Sequence, residues 1–81
     1  MNDQQLQNVI QALQELAEDK SVPKNVKLRI ENSIVVLSDD TDISMRISRA
    51  LTQLDEVSDD SNMQPYTRTQ IWNIVSLLEM I

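Results

Sequence analysis

The sequence predicts an all-α protein, an antiparallel four-helix bundle, and three observations carry that expectation. Four stretches of the chain repeat apolar residues at spacings of three and four. Each is separated from the next by a few turn-forming residues, and Pro23 and Pro65 stand where helices begin rather than inside them. The composition, 41% apolar with 24 of 81 residues Leu, Ile or Val, supplies one small core, hence a single domain over residues 1–81. A fold of this length is worth about 4–12 kcal/mol at roughly 0.05–0.15 kcal/mol per residue.

The first helix is expected from about Asp3 to Glu18, with Leu6, Val9, Ile10, Leu13, Leu16 and Ala17 on one stripe and a Gln- and Glu-rich opposite face. Asn2 fits its N-cap, with Gln5 three residues on as the reciprocal partner. The second starts near Pro23 and is expected to bury Val26, Ile30, Ile34 and Leu37. Asp39, Asp40, Thr41 and Asp42 break the chain. The third runs from about Asp42 to Ser58 with Ile43, Ile47, Ala50, Leu51, Leu54 and Val57 inward, capped by Asp40 or Thr41. Pro65 opens the fourth, which runs to the C-terminus. A shift of 38 residues pairs Val9 with Ile47 and Leu13 with Leu51, and a shift of 41 pairs Ile30 with Ile71 and Leu37 with Leu78. That raises two pseudo-repeated helical hairpins as the form the bundle takes.

Two places depart from a one-sided pattern. In the fourth helix, Ile71, Ile74, Val75, Leu78 and Ile81 make one stripe, yet Tyr66, Leu77 and Met80 lie opposite it with Trp72 on the flank. Either this is the most buried helix, or its second face docks a protein partner or another copy of the chain through Tyr66, Arg68, Trp72, Leu77 and Met80. In the second helix, Leu28 and Val35 lie opposite the core stripe beside an all-basic stretch, Lys20, Lys24, Lys27 and Arg29. Those four cations are either neutralised by Glu18 and Asp19 or form a patch for an acidic partner or a phosphate backbone.

The chemistry left open is narrow. With no His, Cys or Gly, there is no zinc site, thiolate nucleophile, imidazole base or phosphate-cradling loop. None of Glu15, Glu18, Glu31, Asp55, Glu56 or Glu79 falls on a core stripe where burial would raise its pKa for acid–base work. The Asp clusters at 39–42 and 59–60 lack the glycine and glutamate of a calcium loop. No catalytic residue, cofactor or metal is expected. Net charge is −6, residues 20–29 carrying +4 and the remainder −10, which disfavours generic nucleic-acid binding. No run is long enough to span a membrane, no secretory signal precedes the first helix, and a cytoplasmic home is expected.

The segment Ser21-Val22-Pro23-Lys24-Asn25-Val26 and the run from Asn62 to Ser76, NMQPYTRTQIWNIVS, resemble an uncharacterised family of small archaeal helical proteins, over essentially the whole chain. The resemblance implies a compact helical bundle and an archaeal cytoplasm, and it implies no activity. It directs attention to Pro65, Thr67, Arg68, Thr69, Trp72 and Asn73. Thr67 or Thr69 is expected to satisfy first-turn amides, and Arg68 to lie over the Trp72 indole. The function expected is that of a non-enzymatic protein-interaction or assembly module. The alternative is an accessory of a nucleic-acid complex touching phosphates through residues 20–29.

Overall fold

Apolar spacing is honoured in all four helices of the computed structural model, which describes residues 3–81 and the side chains from residue 4 onward. They are α1 (Asp3–Ala17), α2 (Lys24–Leu37), α3 (Ile43–Val57) and α4 (Pro65–Glu79). Each packs only on its neighbours in a ring, α1 on α2, α2 on α3, α3 on α4 and α4 on α1, with no diagonal packing. Short connections between helices of similar length give that up-and-down order, in a body 34 × 19 × 17 Å. The expected N-cap at Asn2 lies outside the described residues.

Every α1 residue expected inside is buried, and Leu13, Val26, Ile30, Leu37, Leu54, Ile71 and Leu78 are sealed from solvent. Ile34, Ile43, Ile47, Leu51, Val75 and Ile81, also expected inside, are half-buried at the edges of the core. Two small polar residues, Ser33 and Thr67, are buried in the core as well. The Ser33 hydroxyl is satisfied by donating to the Arg29 carbonyl, at 2.9 Å.

The buried positions repeat at a spacing of 41 through both halves. Val9, Leu13 and Leu16 of α1 answer to Ala50, Leu54 and Val57 of α3, while Val26, Ile30, Ser33 and Leu37 of α2 answer to Thr67, Ile71, Ile74 and Leu78 of α4. The connections obey the same shift. Val22 and Met63 are both buried plugs at the same end of the bundle. Immediately before each plug, a backbone N–H donates to the aspartate two residues earlier: Ser21 to Asp19 at 2.9 Å, Asn62 to Asp60 at 2.8 Å. The molecule is therefore two helical hairpins related by a pseudo-two-fold along the bundle axis. The 38-residue shift expected for α1 and α3 is corrected to 41.

The turns are closed without any residue at positive φ among those described, which accounts for a chain without glycine. Asp42, not Asp40 or Thr41, holds the N-cap position of α3, and its side chain makes no capping bond. Arg46 instead ties that connection down, donating to the carbonyls of Thr41 at 2.8 Å and Leu37 at 3.1 Å. No described helix is long and apolar enough to cross a membrane.

Candidate interaction face

Gln64 is extended, at φ −68° and ψ 151°, because the ring of Pro65 excludes the helical region for the residue before it. Helix α4 therefore begins sharply at Pro65, and its phase is set from there. Thr67, Ile71, Ile74 and Leu78 are driven inward. The same phase turns Tyr66, Trp72, Leu77 and Met80 outward, at 62%, 57%, 47% and 75% exposure. Helix 4 is thus not the most buried helix, and the second apolar face predicted from its sequence is open to solvent. Thr69, Asn73 and Ser76 are exposed between those larger side chains.

The five residues proposed as one docking site do not all share a surface. Tyr66 borders a small cleft with Ala12 and Leu16, on the α1 side of α4. Leu77, eleven residues on, returns to that side at about 100° per residue. Trp72 is seven residues before Glu79, which borders the groove between α3 and α4, so the indole sits on the flank toward α3. Arg68 is half-buried and turns away from Trp72, toward the α3–α4 connection. Its guanidinium donates to the Asp60 carbonyl at 3.0 Å rather than stacking on Trp72; that carbonyl, which also accepts from the Met63 N–H, is the stronger acceptor within its reach.

Asp60 is the hub of that connection. Its carboxylate accepts from the Asn25 side-chain amide and from the Asn62 N–H, and together with the nearby Arg68 these hold its pKa below the usual carboxylate value. Asp19, its counterpart in the first hairpin, accepts from both the N–H and the hydroxyl of Ser21, with the same downward effect. The Asn25–Asp60 bond joins the start of α2 to the connection before α4, so the two hairpins are locked together at this end.

The basic segment is dispersed. Arg29 donates to Gln53 at 3.0 Å and pairs with Glu56 at 2.8 Å, which places it in the α2–α3 contact. Lys27 points to the opposite side, into a shallow groove against α1 that it shares with Glu18 and Glu31. Lys20 and Lys24 are exposed, one in the connection and one at the first residue of α2. The four cations converge on no common face, and Asp19, expected as their neutraliser, is occupied by Ser21.

The six helical carboxylates named above are all exposed. No group of three or more His, Cys, Asp or Glu is placed to hold a metal ion among the described residues. The sequence pattern gave no sign of the groove between α3 and α4, about 500 Å³, floored by Ile47, Leu51, Leu78 and Ile81. Its origin is that α3 and α4 pack less intimately than the equivalent pair α1 and α2.

Comparison with known proteins gives a consistent answer. The crystal structure of the unknown-function protein MMP1188 superposes with a TM-score of 0.93 at 38% identity, covering 100% of this chain and 93% of that one. A structure from Thermoplasma acidophilum, described as belonging to uncharacterized family UPF0147, gives 0.91 at 33% identity, covering 96% and 93%. A UPF0147 protein of Metallosphaera sedula is 38% identical over 99% of this chain and 91% of its own length, and one of Methanocaldococcus jannaschii is 40% identical over 94% and 83%. The family model for UPF0147, an uncharacterised protein family, matches residues 1–81, and the chain belongs to that family.

Proposed function

We propose that this protein is a non-enzymatic interaction module that binds a protein partner through the outer face of α4. The observation that supports the reading is the exposure of Tyr66, Trp72, Leu77 and Met80 on a helix whose other face already fills the core. Large apolar side chains in water raise the free energy of the isolated protein, and Tyr and Trp are residue types that anchor interfaces. The test is affinity capture from an archaeal lysate after nuclease treatment, comparing the native chain with a Tyr66→Glu, Met80→Glu variant of unchanged helix content. A nuclease-resistant protein lost with the variant supports the reading. Capture unaffected by the two changes overturns it, and capture that disappears with nuclease returns attention to Lys20, Lys24 and Lys27.

A further inference from the structure

We propose that the cleft between α1 and α4 receives an arginine side chain of the protein partner, held by the carboxylates of Glu15 and Asp19 against the Tyr66 ring. This rests on the interaction reading above and names the chemistry the partner presents.

The repeat shows what such a cleft holds. It is lined by Ala12, Glu15, Leu16, Asp19, Tyr66 and Gln70. A shift of 41 residues turns the first four into Gln53, Glu56, Val57 and Asp60, and the last two into Asn25 and Arg29. The same place therefore recurs where α2 meets α3, and there it is filled from within the chain. The Arg29 guanidinium donates to Gln53 at 3.0 Å and pairs with Glu56 at 2.8 Å, while the Asn25 amide donates to Asp60.

Between α1 and α4 both carboxylates are kept and both donors are gone. Gln70 stands where Arg29 does, and Tyr66 where Asn25 does. Among the described residues neither Glu15 nor Asp19 is ion-paired. Glu15 accepts one long bond on Oε1, from Gln11 at 3.5 Å, and both bonds to Asp19 fall on Oδ1, from Ser21. One oxygen of each carboxylate is left to accept from outside.

Size and chemistry select the ligand. The cleft holds about 110 Å³, well below the roughly 300–1,000 Å³ of pockets that enclose a free small molecule. It fits one side chain carried by something larger. Two carboxylates on a chain of net charge −6 attract a basic partner. A guanidinium suits them better than an ammonium, because its planar fork of donors can serve two acceptors while its face lies on an aromatic ring. Ala12 and Leu16 give the methylene stem an apolar wall. Tyr66 belongs both to this cleft and to the exposed face of α4, so the arginine comes from whatever docks on that face.

The probe is acetyl-arginine amide, titrated into the native chain and followed by amide NMR, with acetyl-lysine amide alongside. Arginine is expected to give saturable, millimolar-range shifts at Tyr66 and Gln70. Binding should weaken at least about fivefold for the lysine probe, and as much for arginine on Glu15→Gln. Gln70→Arg rebuilds the Arg29 arrangement, so it should fill the cleft from within and abolish arginine binding. Absence of saturable shifts, equal binding of the lysine probe, or native-like arginine binding by a folded Gln70→Arg variant overturns the site. Capture from lysate separates this site from the wider reading. Loss of the captured protein with Gln70→Arg supports the site. If Gln70→Arg keeps it while Tyr66→Glu, Met80→Glu loses it, only the arginine assignment fails; if neither variant loses it, the interaction reading fails as well.

Discussion

Thr67 has a hydroxyl sealed from solvent with no hydrogen-bond partner among the described side chains and backbone. Sequence reasoning expected it to cap α4, but the phase set by Pro65 turns it into the core. An unpaired buried hydroxyl costs about 1–3 kcal/mol, and the equivalent residue in the first hairpin is Val26, equally buried. Thr67→Val is therefore expected to stabilise the fold by about 1 kcal/mol, raising Tm by roughly 4–8 °C. A lower melting temperature would mean that the hydroxyl has found a partner. Arg29 and Arg68 teach a related lesson. Their positions on the helices were legible, but a side chain with several rotatable bonds and five donors is decided by the acceptors within its reach. Gln53, Glu56 and the Asp60 carbonyl come from elements that only the fold brings near.

Among the elements, the two connections at the Asp19 and Asp60 end show how a turn is made without glycine: an aspartate accepts the N–H two residues on, and an apolar plug follows. Both carboxyls have folded pKa values below their ordinary 3.8, so the stability they contribute is present above that value and is lost as pH falls through the lower folded value. Acid titration should lower the melting temperature below about pH 4, and Asp60→Asn should flatten that dependence. A variant that keeps the native acid profile would rule the Asp60 network out as its source. Helix limits were readable to within a residue or two, because apolar periodicity and the two prolines mark them independently of tertiary context. The 38-residue alignment of α1 with α3 failed for a geometric reason. It differs from 41 by three residues, nearly one helical turn, so the apolar stripe looks much the same in either register. Burial distinguishes them: Ala50 and Leu54 are sealed, whereas Ile47 and Leu51 are not.

At the scale of the molecule the two-fold is imperfect, and the imperfection is concentrated on α4. Helix α2 packs closely on both neighbours, whereas α4 is held more loosely by each of its own. In dilute, monomeric protein, amide hydrogens of α4 should therefore exchange faster than their α2 counterparts, for example Ile71 against Ile30. Equal protection would place both helices in one cooperative unit and remove the distinction. The core itself is shared, so Leu13→Ala and Leu54→Ala, at equivalent sealed positions, should each cost about 2–5 kcal/mol. Set against a total of about 4–12 kcal/mol, either change brings the chain near unfolding at ambient temperature, which urea titration would show. The outer apolar face of α4 was legible as a pattern, but its exposure was not, since nothing in a helical wheel says how many neighbours a helix has.

The ring order of the helices makes the starting point of the chain nearly arbitrary. Helix α1 begins at the end of the bundle where α4 finishes, and the α2–α3 turn closes that same end. Cutting that turn and joining residue 81 to the start of α1 through a short linker would give the order α3, α4, α1, α2. In three dimensions that permutation is a half-turn of the whole molecule about its own axis. Its sequence would be read from a new starting point, and the same hairpins, plugs and aspartate turns would close the same core.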